Sequence, residues 1–535
     1  MSCGKTKARS IACNVLGPYF TKKVVDDITK ARFYSLSVDA SNKGNCKTFP
    51  FAVQYFSQIG LIEIINDPHE CAIDIFNNIC KVIDDYKLKI ANLTSFGADN
   101  TNVNFGEYHS VFKLLKDKLP HLVKGNCYAH ILHNAVKNSH DILPIDIETV
   151  LCKIYSYFSK SAKRLDNLKD YFDFVQVDFK VLLQYINIRW LSLLRSIERL
   201  LENFEPVKLY FMNQPTSTNT QKFLQSFFGT DEGLCVLNFL RNVLSDVQRA
   251  ELQLQRSYTT IVDLHFIITN LINKLHQKLF DKYYGNNTRL LIKQLKNIDE
   301  TKSEEFIQAF ESFINSVIDY IKSYFNVDSE FYEKLSVFNI QSIHFLTWEN
   351  IVDVADALYI DDLDRDQLYS EFCDIKCFYE TLKKKNINLS EQIKSYISSK
   401  TNDFSMSMKT NHQSVLCESD DDTETISLSN KQDGDSIRSD QLWAYLLNVN
   451  PNPTPHMKKI ICYIFSIPCS NSYVETIFSH MKHLWSDYRN RMDIELVSAE
   501  LKIRMNGNYS CEQFYKHVLA ETQLLKQIRK NGKYE

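Results

Sequence analysis

Three carboxylates stand where they could act together. Asp39 closes an apolar, β-prone run, F-Y-S-L-S-V-D, and Asp99 closes a second, I-A-N-L-T-S-F-G-A-D. Glu475 lies far downstream in S-Y-V-E-T-I-F. An acid at the C-terminal end of a strand is a charge fixed on rigid backbone. If the two strands are parallel neighbours, their carboxylates lie close together and repel, so one takes a proton or both share a cation. Oxygen donors of this kind suit Mg²⁺ or Mn²⁺. Two such ions can bracket the attacking and leaving oxygens of a phosphodiester. A plainer reading is available for each acid. Asp before a Gly/Asn-rich loop caps a turn, and Ser472 with Glu475 fits a helix capping box. From the residues alone, capping is the preferred reading of all three.

Other residue groups carry weaker signals. Cys127 and His130 form a C-x-x-H, half of a zinc site at most, and no second pair stands at a suitable spacing. No structural zinc is therefore expected. Cys373 and Cys377 likewise lack partner histidines. Arg189 and Trp190 could contact a phosphate and stack on a base, although a core Trp beside a surface Arg is the simpler reading. Val474, Phe478, Met481 and Trp485 recur at helical spacing and form one apolar stripe.

The elements that would position these groups are legible in order. Strands are expected at 33–39, 49–56 and 60–65, a helix at 69–87, and a strand at 90–98. A helix at 108–119, a short strand at 123–127 and a helix at 129–136 follow. The order β-β-β-α-β-α-β-α makes a mixed sheet flanked by helices, with the first strand in the middle beside the fourth. Beyond residue 145 the periodicity is helical, including 147–161, 188–204, 221–254, 259–284, 303–325 and 366–385. Residues 402–440 are rich in Ser, Asp, Thr and Asn, too poor in apolar residues to fold alone, and read as a disordered linker. Order is expected again from Gln441, ending in helices at 494–504 and 511–529.

Composition narrows the function classes. The chain has 535 residues, 62 Lys+Arg against 65 Asp+Glu, and a net charge of −3, which argues against wholesale polyanion binding. Any contact with nucleic acid must use local basic patches. The 14 cysteines are scattered and follow no secretory segment, which suggests reduced thiols in a cytosolic or nuclear protein. No apolar run approaches the roughly 20 residues of a membrane span, so no membrane association is expected.

Taken together, the motifs say more than they do singly. In sequence they are S-V-D-A-S-N-K-G, F-G-A-D-N, C-Y-A-H-I-L-H-N, R-W-L-S, I-P-C-S-N-S-Y-V-E-T-I-F-S and R-N-R-M. This series resembles the hAT superfamily of transposases over about residues 5–505, closest to the branch that includes host proteins derived from such elements. The resemblance implies an α/β fold: an RNase H-like mixed sheet interrupted by a large all-α insertion, with a helical C-terminal dimerisation region. The implied segments are a helical remnant (1–32), the first part of the core (33–204), the insertion (205–400), the acidic linker (401–440) and the returning core with the dimerisation region (441–535).

By the same resemblance, Asp39, Asp99 and Glu475 would be a DDE-type triad binding Mg²⁺ or Mn²⁺. Cys127 and His130 would match the C-x-x-H element near the active site, and Arg189 and Trp190 an Arg-Trp element that handles flanking DNA. The stripe of Val474, Phe478, Met481 and Trp485 would pack on the core, on a partner subunit, or on both. A homo-oligomer, DNA as partner and a nuclear location are implied. The sequence also departs from the family. Thr476 follows Glu475 where these proteins usually carry Arg, no BED-type zinc finger is present, and the family's N-terminal DNA-binding segments are largely absent. Two readings follow: a DNA-cleaving enzyme or its remnant, and a non-enzymatic descendant that keeps the fold and the dimer surface.

Overall fold

A computed structural model describes residues 4–43, 46–56, 58–183, 185, 192–256, 258–360, 362–384, 388–400, 437–485, 492–507 and 509–530. Arg189, Trp190, the R-N-R of the last motif and residues 401–436 of the proposed linker lie outside these. The chain divides into two compact units. One comprises residues 1–129, 254–265 and 329–535; the other comprises 130–253 and 266–328. No helix among the described residues is long and apolar enough to cross a membrane.

The first unit is built on a mixed sheet. Its strands are β1 (Tyr34–Val38), β2 (Ser41–Lys43), β3 (Cys46–Tyr55), β4 (Gln58–Asn66), β5 (Leu93–Ala98) and β6 (Val123–Asn126). β3 pairs antiparallel with β1 and β4, while β1–β5 and β5–β6 are parallel. β1 therefore sits centrally beside β5, as the element order predicts. One difference lies in the expected turn after Asp39. The chain runs on through Asp39 and Ala40 in the same register and pairs again as β2 along the same edge of β3, with Ser41 opposite Thr48. By this register Pro50 lies opposite Asp39 and Phe49 opposite Ala40, between the Val38–Phe51 and Ser41–Thr48 pairs. Proline has no N–H to donate, so the ladder breaks here at little cost, and Asp39 is released from strand pairing.

Alternation along the strands divides the sheet into two faces. Phe49, Phe51, Val53 and Ile62 point to one core, with Leu36, Val38 and Phe96. That core is closed by the Ala72–Asp85 helix through Ile75, Ile79, Val82 and Ile83, and by the Val111–Lys118 helix through Val111 and Leu115. Val24 and Ile28 of the Gly17–Ala31 helix join it. Ala52, Leu61 and Ile64 point to the opposite face. There they meet Val474, Ile477, Phe478 and Met481 of the Ser472–Leu484 helix, Trp485, and Val497, Leu501 and Met505 of the Ile494–Asn506 helix. The result is three layers, helix on sheet on helix. β4 is an edge strand, and Asn506 covers it by bonding both the N–H and the C=O of Leu61 at 2.8 Å. Side-chain cover of this kind blocks unwanted strand pairing.

Of the alternatives left open for the apolar stripe, packing on the core is the one the described residues show. Val474, Phe478, Met481 and Trp485 are buried against this chain's own sheet. The periodicity correctly marks a buried face, and the sheet of the same chain is what covers it. The expected end of the linker also shifts. Asp440 is buried and ion-paired to Arg438 at 3.0 Å, and a helix already runs from Ser439 to Val449. Trp443 fixes that helix by donating its indole N–H to the Phe338 carbonyl at 2.7 Å.

The second unit is helical. Tyr157, Phe158, Tyr210, Phe211 and Phe228 form an aromatic cluster, with Phe211 and Phe228 stacked at 5.7 Å. Phe239 stacks on Phe310 of the long Glu300–Phe325 helix at 3.9 Å. The single helix expected over 221–254 is two, Asn219–Phe228 and Glu232–Leu254, broken at Gly229. The final helix expected over 511–529 is likewise two, Cys511–Ala520 and Thr522–Arg529. The insertion expected at 205–400 has other borders as a compact unit. It begins at His130, and the helices from Ser329 onward join the sheet-bearing unit. There Glu371 accepts from the backbone N–H of Met457 at 2.8 Å, and Asp362 pairs with Arg32 and Lys459. Arg32 holds the Asp362 carboxyl down, at about 2.

Candidate functional site

The acid pair comes from strand register. Ser35, Leu36 and Ser37 of β1 lie opposite Ser95, Phe96 and Gly97 of β5. Continued past the strand ends, this register sets Asp39 beside Asp99. Neighbouring strands run about 4.8 Å apart, so the two backbones hold these acids side by side. Close approach here depends on Gly97: a Cβ on it would come within 2.5 Å of Ser37 Oγ and 3.3 Å of Pro468 Cγ. Both acids are half-buried.

Each carboxylate is also tied locally. Asp99 Oδ1 accepts from Thr101 Oγ1 at 2.9 Å and Asn104 Nδ2 at 2.5 Å. Asp39 Oδ1 accepts from the Ala40 N–H at 2.8 Å. The turn-capping role read from the sequence is thus present, and it coexists with the side-by-side placement.

Glu475 arrives on the helix that covers the Ala52–Leu61–Ile64 face of the sheet. It sits in the first turn of the Ser472–Leu484 helix. The capping box expected from Ser472 and Glu475 does not form. The cap position is Asn471, one residue earlier, and it makes no side-chain cap bond. Asn471 Nδ2 instead donates to the Val38 carbonyl at 3.3 Å, the residue before Asp39. Ser472 Oγ turns to the Gln255 carbonyl at 3.4 Å. The helix start that carries Glu475 is therefore docked on the strand end that carries Asp39.

The I-P-C-S-N segment makes further attachments around this point. Asn471 N–H donates to the buried Cys127 thiol sulfur at 3.1 Å, and Tyr128 N–H to the Cys469 carbonyl at 3.2 Å. Asn100 Nδ2 donates to the Cys127 carbonyl at 3.0 Å. Cys127 thus acts as an acceptor that seats the loop before Glu475. His130 begins the other unit, where it lies near the buried Glu251.

Asn471, Pro468, Thr101 and Asn104 are the residues that sequence reasoning left unnamed. Asn immediately before a helix and the D-x-T spacing after a strand were the available signals. Two amide oxygens close to the strand ends, Asn100 Oδ1 and Asn471 Oδ1, are buried and have no hydrogen-bond partner among the described residues.

The family resemblance implies a divalent ion, and the donor chemistry fits one. Carboxylates supplemented by buried amide oxygens are a hard-cation set. The placement fits in part: Asp39 and Asp99 are aligned by the backbone. No group of three or more His, Cys, Asp or Glu among the described residues is arranged to hold a metal ion.

Comparison with known proteins bears on the C-terminal part. Residues 434–506 match the family model of the hAT family C-terminal dimerisation region. This stretch contains the Ser439–Val449, Ser472–Leu484 and Ile494–Asn506 helices and Glu475. The match supports a hAT family transposase or a protein derived from one, with a region that suggests homo-oligomerisation. A search of curated proteins finds no match.

Proposed function

We propose that this is a hAT transposase-derived protein that works as a homodimer and uses Asp39, Asp99 and Glu475 to cleave DNA strands. The observation that carries the reading is the β1–β5 register beside the Asn471–Val38 bond, which draws the two strand acids and the helix bearing Glu475 to one end of the sheet. The order β4-β3-β1-β5-β6, antiparallel and then parallel, supports an RNase H-like core. In this reading the three carboxylates would hold Mg²⁺ or Mn²⁺, which when bound stabilises charge on the oxygens of a phosphodiester. Thr101 and Asn104 orient Asp99, and Asn471 sets the position of the Glu475 helix. DNA is the substrate class, and a nuclear location follows from it.

One set of observations favours the second reading, a dimerising scaffold without catalysis. No three-ligand group is assembled among the described residues, and Thr476, in the place of the usual Arg, donates to the Ser472 carbonyl at 3.0 Å. Titration of the purified chain with Mn²⁺, followed by calorimetry or by the spin signal of free Mn²⁺, separates the two. Saturable binding is expected, weakened at least about tenfold by Asp99→Asn. Equal titration curves for the two proteins would leave the scaffold.

A further inference from the structure

We propose that the helical unit carries a binding site for a phosphate ester of nucleotide size, at the start of the Asn286–Ile298 helix. A cavity of about 500 Å³ opens there. Gly285 to Thr288 line it from the helix start, Arg241 and Asn242 from the Glu232–Leu254 helix, and Glu198 and Glu202 from the Ser192–Glu202 helix. All of these belong to the one compact unit. The volume lies within the roughly 300–1,000 Å³ of small-molecule sites and is far larger than a water or a bare ion needs.

Donors converge on one end of the cavity. The first N–H groups of a helix have no partner within it and carry the positive end of its dipole, so they attract phosphate. Here the cap residue is Gly285, at φ 111°, and among the described residues no side chain caps the helix. A Cβ on Gly285 would come 3.2–3.3 Å from Asn242 Cβ, Cγ and Nδ2. Asn242 Oδ1 accepts from Lys278 Nζ at 2.6 Å, so the donor half of that amide is the half turned to the helix start. Thr288 supplies an independent sign of a ligand. It is 1% exposed, and its Oγ1 is buried without a hydrogen-bond partner among the described residues. An unpaired buried hydroxyl is unfavourable, and a phosphate oxygen is an acceptor for it. Arg241, exposed on the cavity wall, adds a full positive charge.

Acceptors line the other end. Glu202 is neutralised by Lys180 at 3.2 Å and Arg199 at 3.4 Å. Burial raises the Glu198 carboxyl, against a smaller opposing pull from Arg241. A carboxyl group here suits a ligand that also carries N–H or O–H donors, as a base or a sugar does, and disfavours a bare polyanion. Asn287 Nδ2 donates to Asn238 Oδ1 at 3.3 Å and fixes the amide wall between the two ends.

Calorimetric titration of the purified full chain with deoxyadenosine 5′-monophosphate tests the site. Saturable one-to-one binding is expected, with inorganic phosphate a weaker competitor. Arg241→Gln should weaken it by about tenfold or more, and Thr288→Val by about fivefold. Because the Thr288 hydroxyl is unpaired in the fold, Thr288→Val should leave the melting temperature unchanged or raise it, which separates lost binding from lost structure. Competition reads the source of the phosphate. Displacement by a 5′-phosphorylated single strand, and not by its 5′-hydroxyl counterpart, supports a site for a strand end; displacement by neither supports a site for a free nucleotide. No saturable binding by the wild type, or equal affinity in the wild type and both variants, would overturn the site. Neither result bears on the role of Asp39, Asp99 and Glu475.

Discussion

Trp485→Asp is expected to unfold the sheet-bearing unit, not to release a folded monomer. Trp485 is 8% exposed and packs in one cluster with Val474, Phe478 and Met481 on Ala52, Leu61 and Ile64 of the sheet. Removing a buried aromatic costs about 3–5 kcal/mol. The aspartate adds a buried charge without a partner, worth several kcal/mol more unless it takes up a proton. A domain's whole stability is about 5–15 kcal/mol. Circular dichroism should therefore show no cooperative melt for this unit at neutral pH. A variant with wild-type melting and the mass of one chain would return the stripe to a subunit interface.

Glu251→Gln is expected to stabilise the helical unit above neutral pH and to change little near pH 4.5. Glu251 lies in the Glu232–Leu254 helix, 4% exposed, with Oε1 lacking a hydrogen-bond partner among the described residues. It lines a cavity of about 50 Å³ with Leu132, Val136, Leu244 and Val247. Burial pushes its carboxyl from 4.5 up to about 8, against a smaller opposing pull from His130. The folded state thus keeps a proton that the unfolded chain releases. Between about pH 4.5 and about pH 8 stability falls as pH rises, by about 1.4 kcal/mol per unit for this group. Over the whole window the loss is on the order of 3–5 kcal/mol. Glutamine stays neutral throughout and has no such slope. Urea midpoints measured across this range should diverge between the two proteins as pH rises. Parallel curves would show that the Glu251 carboxyl is not held neutral in the fold.

Much of the sheet is written locally. Asp39 and Asp99 each end an apolar run that is followed by polar turn residues, and the β-β-β-α-β order alone puts their strands side by side. β2 is different: S-N-K is a short polar segment with no apolar alternation, and its pairing to Thr48 is set by the register carried over from β1. The stripe from Val474 to Trp485 shows the limit of periodicity. Spacing says that a helix face is buried, while the identity of the covering surface is a tertiary fact. The same holds for the border between units. The Trp348–Ala357 helix is as amphipathic as the Glu300–Phe325 helix, yet the two belong to different units; on the sheet-bearing side, distant pairs such as Glu371 with Met457 and Arg32 with Asp362 tie this region in. At the site, Glu475 could be singled out only through the order of the motifs. Its docking depends on Asn471, whose side chain reaches a strand end 433 positions away.

The activity proposed for Asp39, Asp99 and Glu475 is cleavage of DNA. Nicking of supercoiled DNA by the purified full chain in Mn²⁺ tests it most directly, with Asp39→Asn prepared in parallel. Asp39 Oδ1 is bonded to the neighbouring Ala40 N–H, and asparagine retains that acceptor, so the fold should be preserved. Mn²⁺-dependent nicking by the wild type is expected, with a loss of at least about a hundredfold in the variant. Nicking at the same rate by both proteins, or none by either, would contradict it.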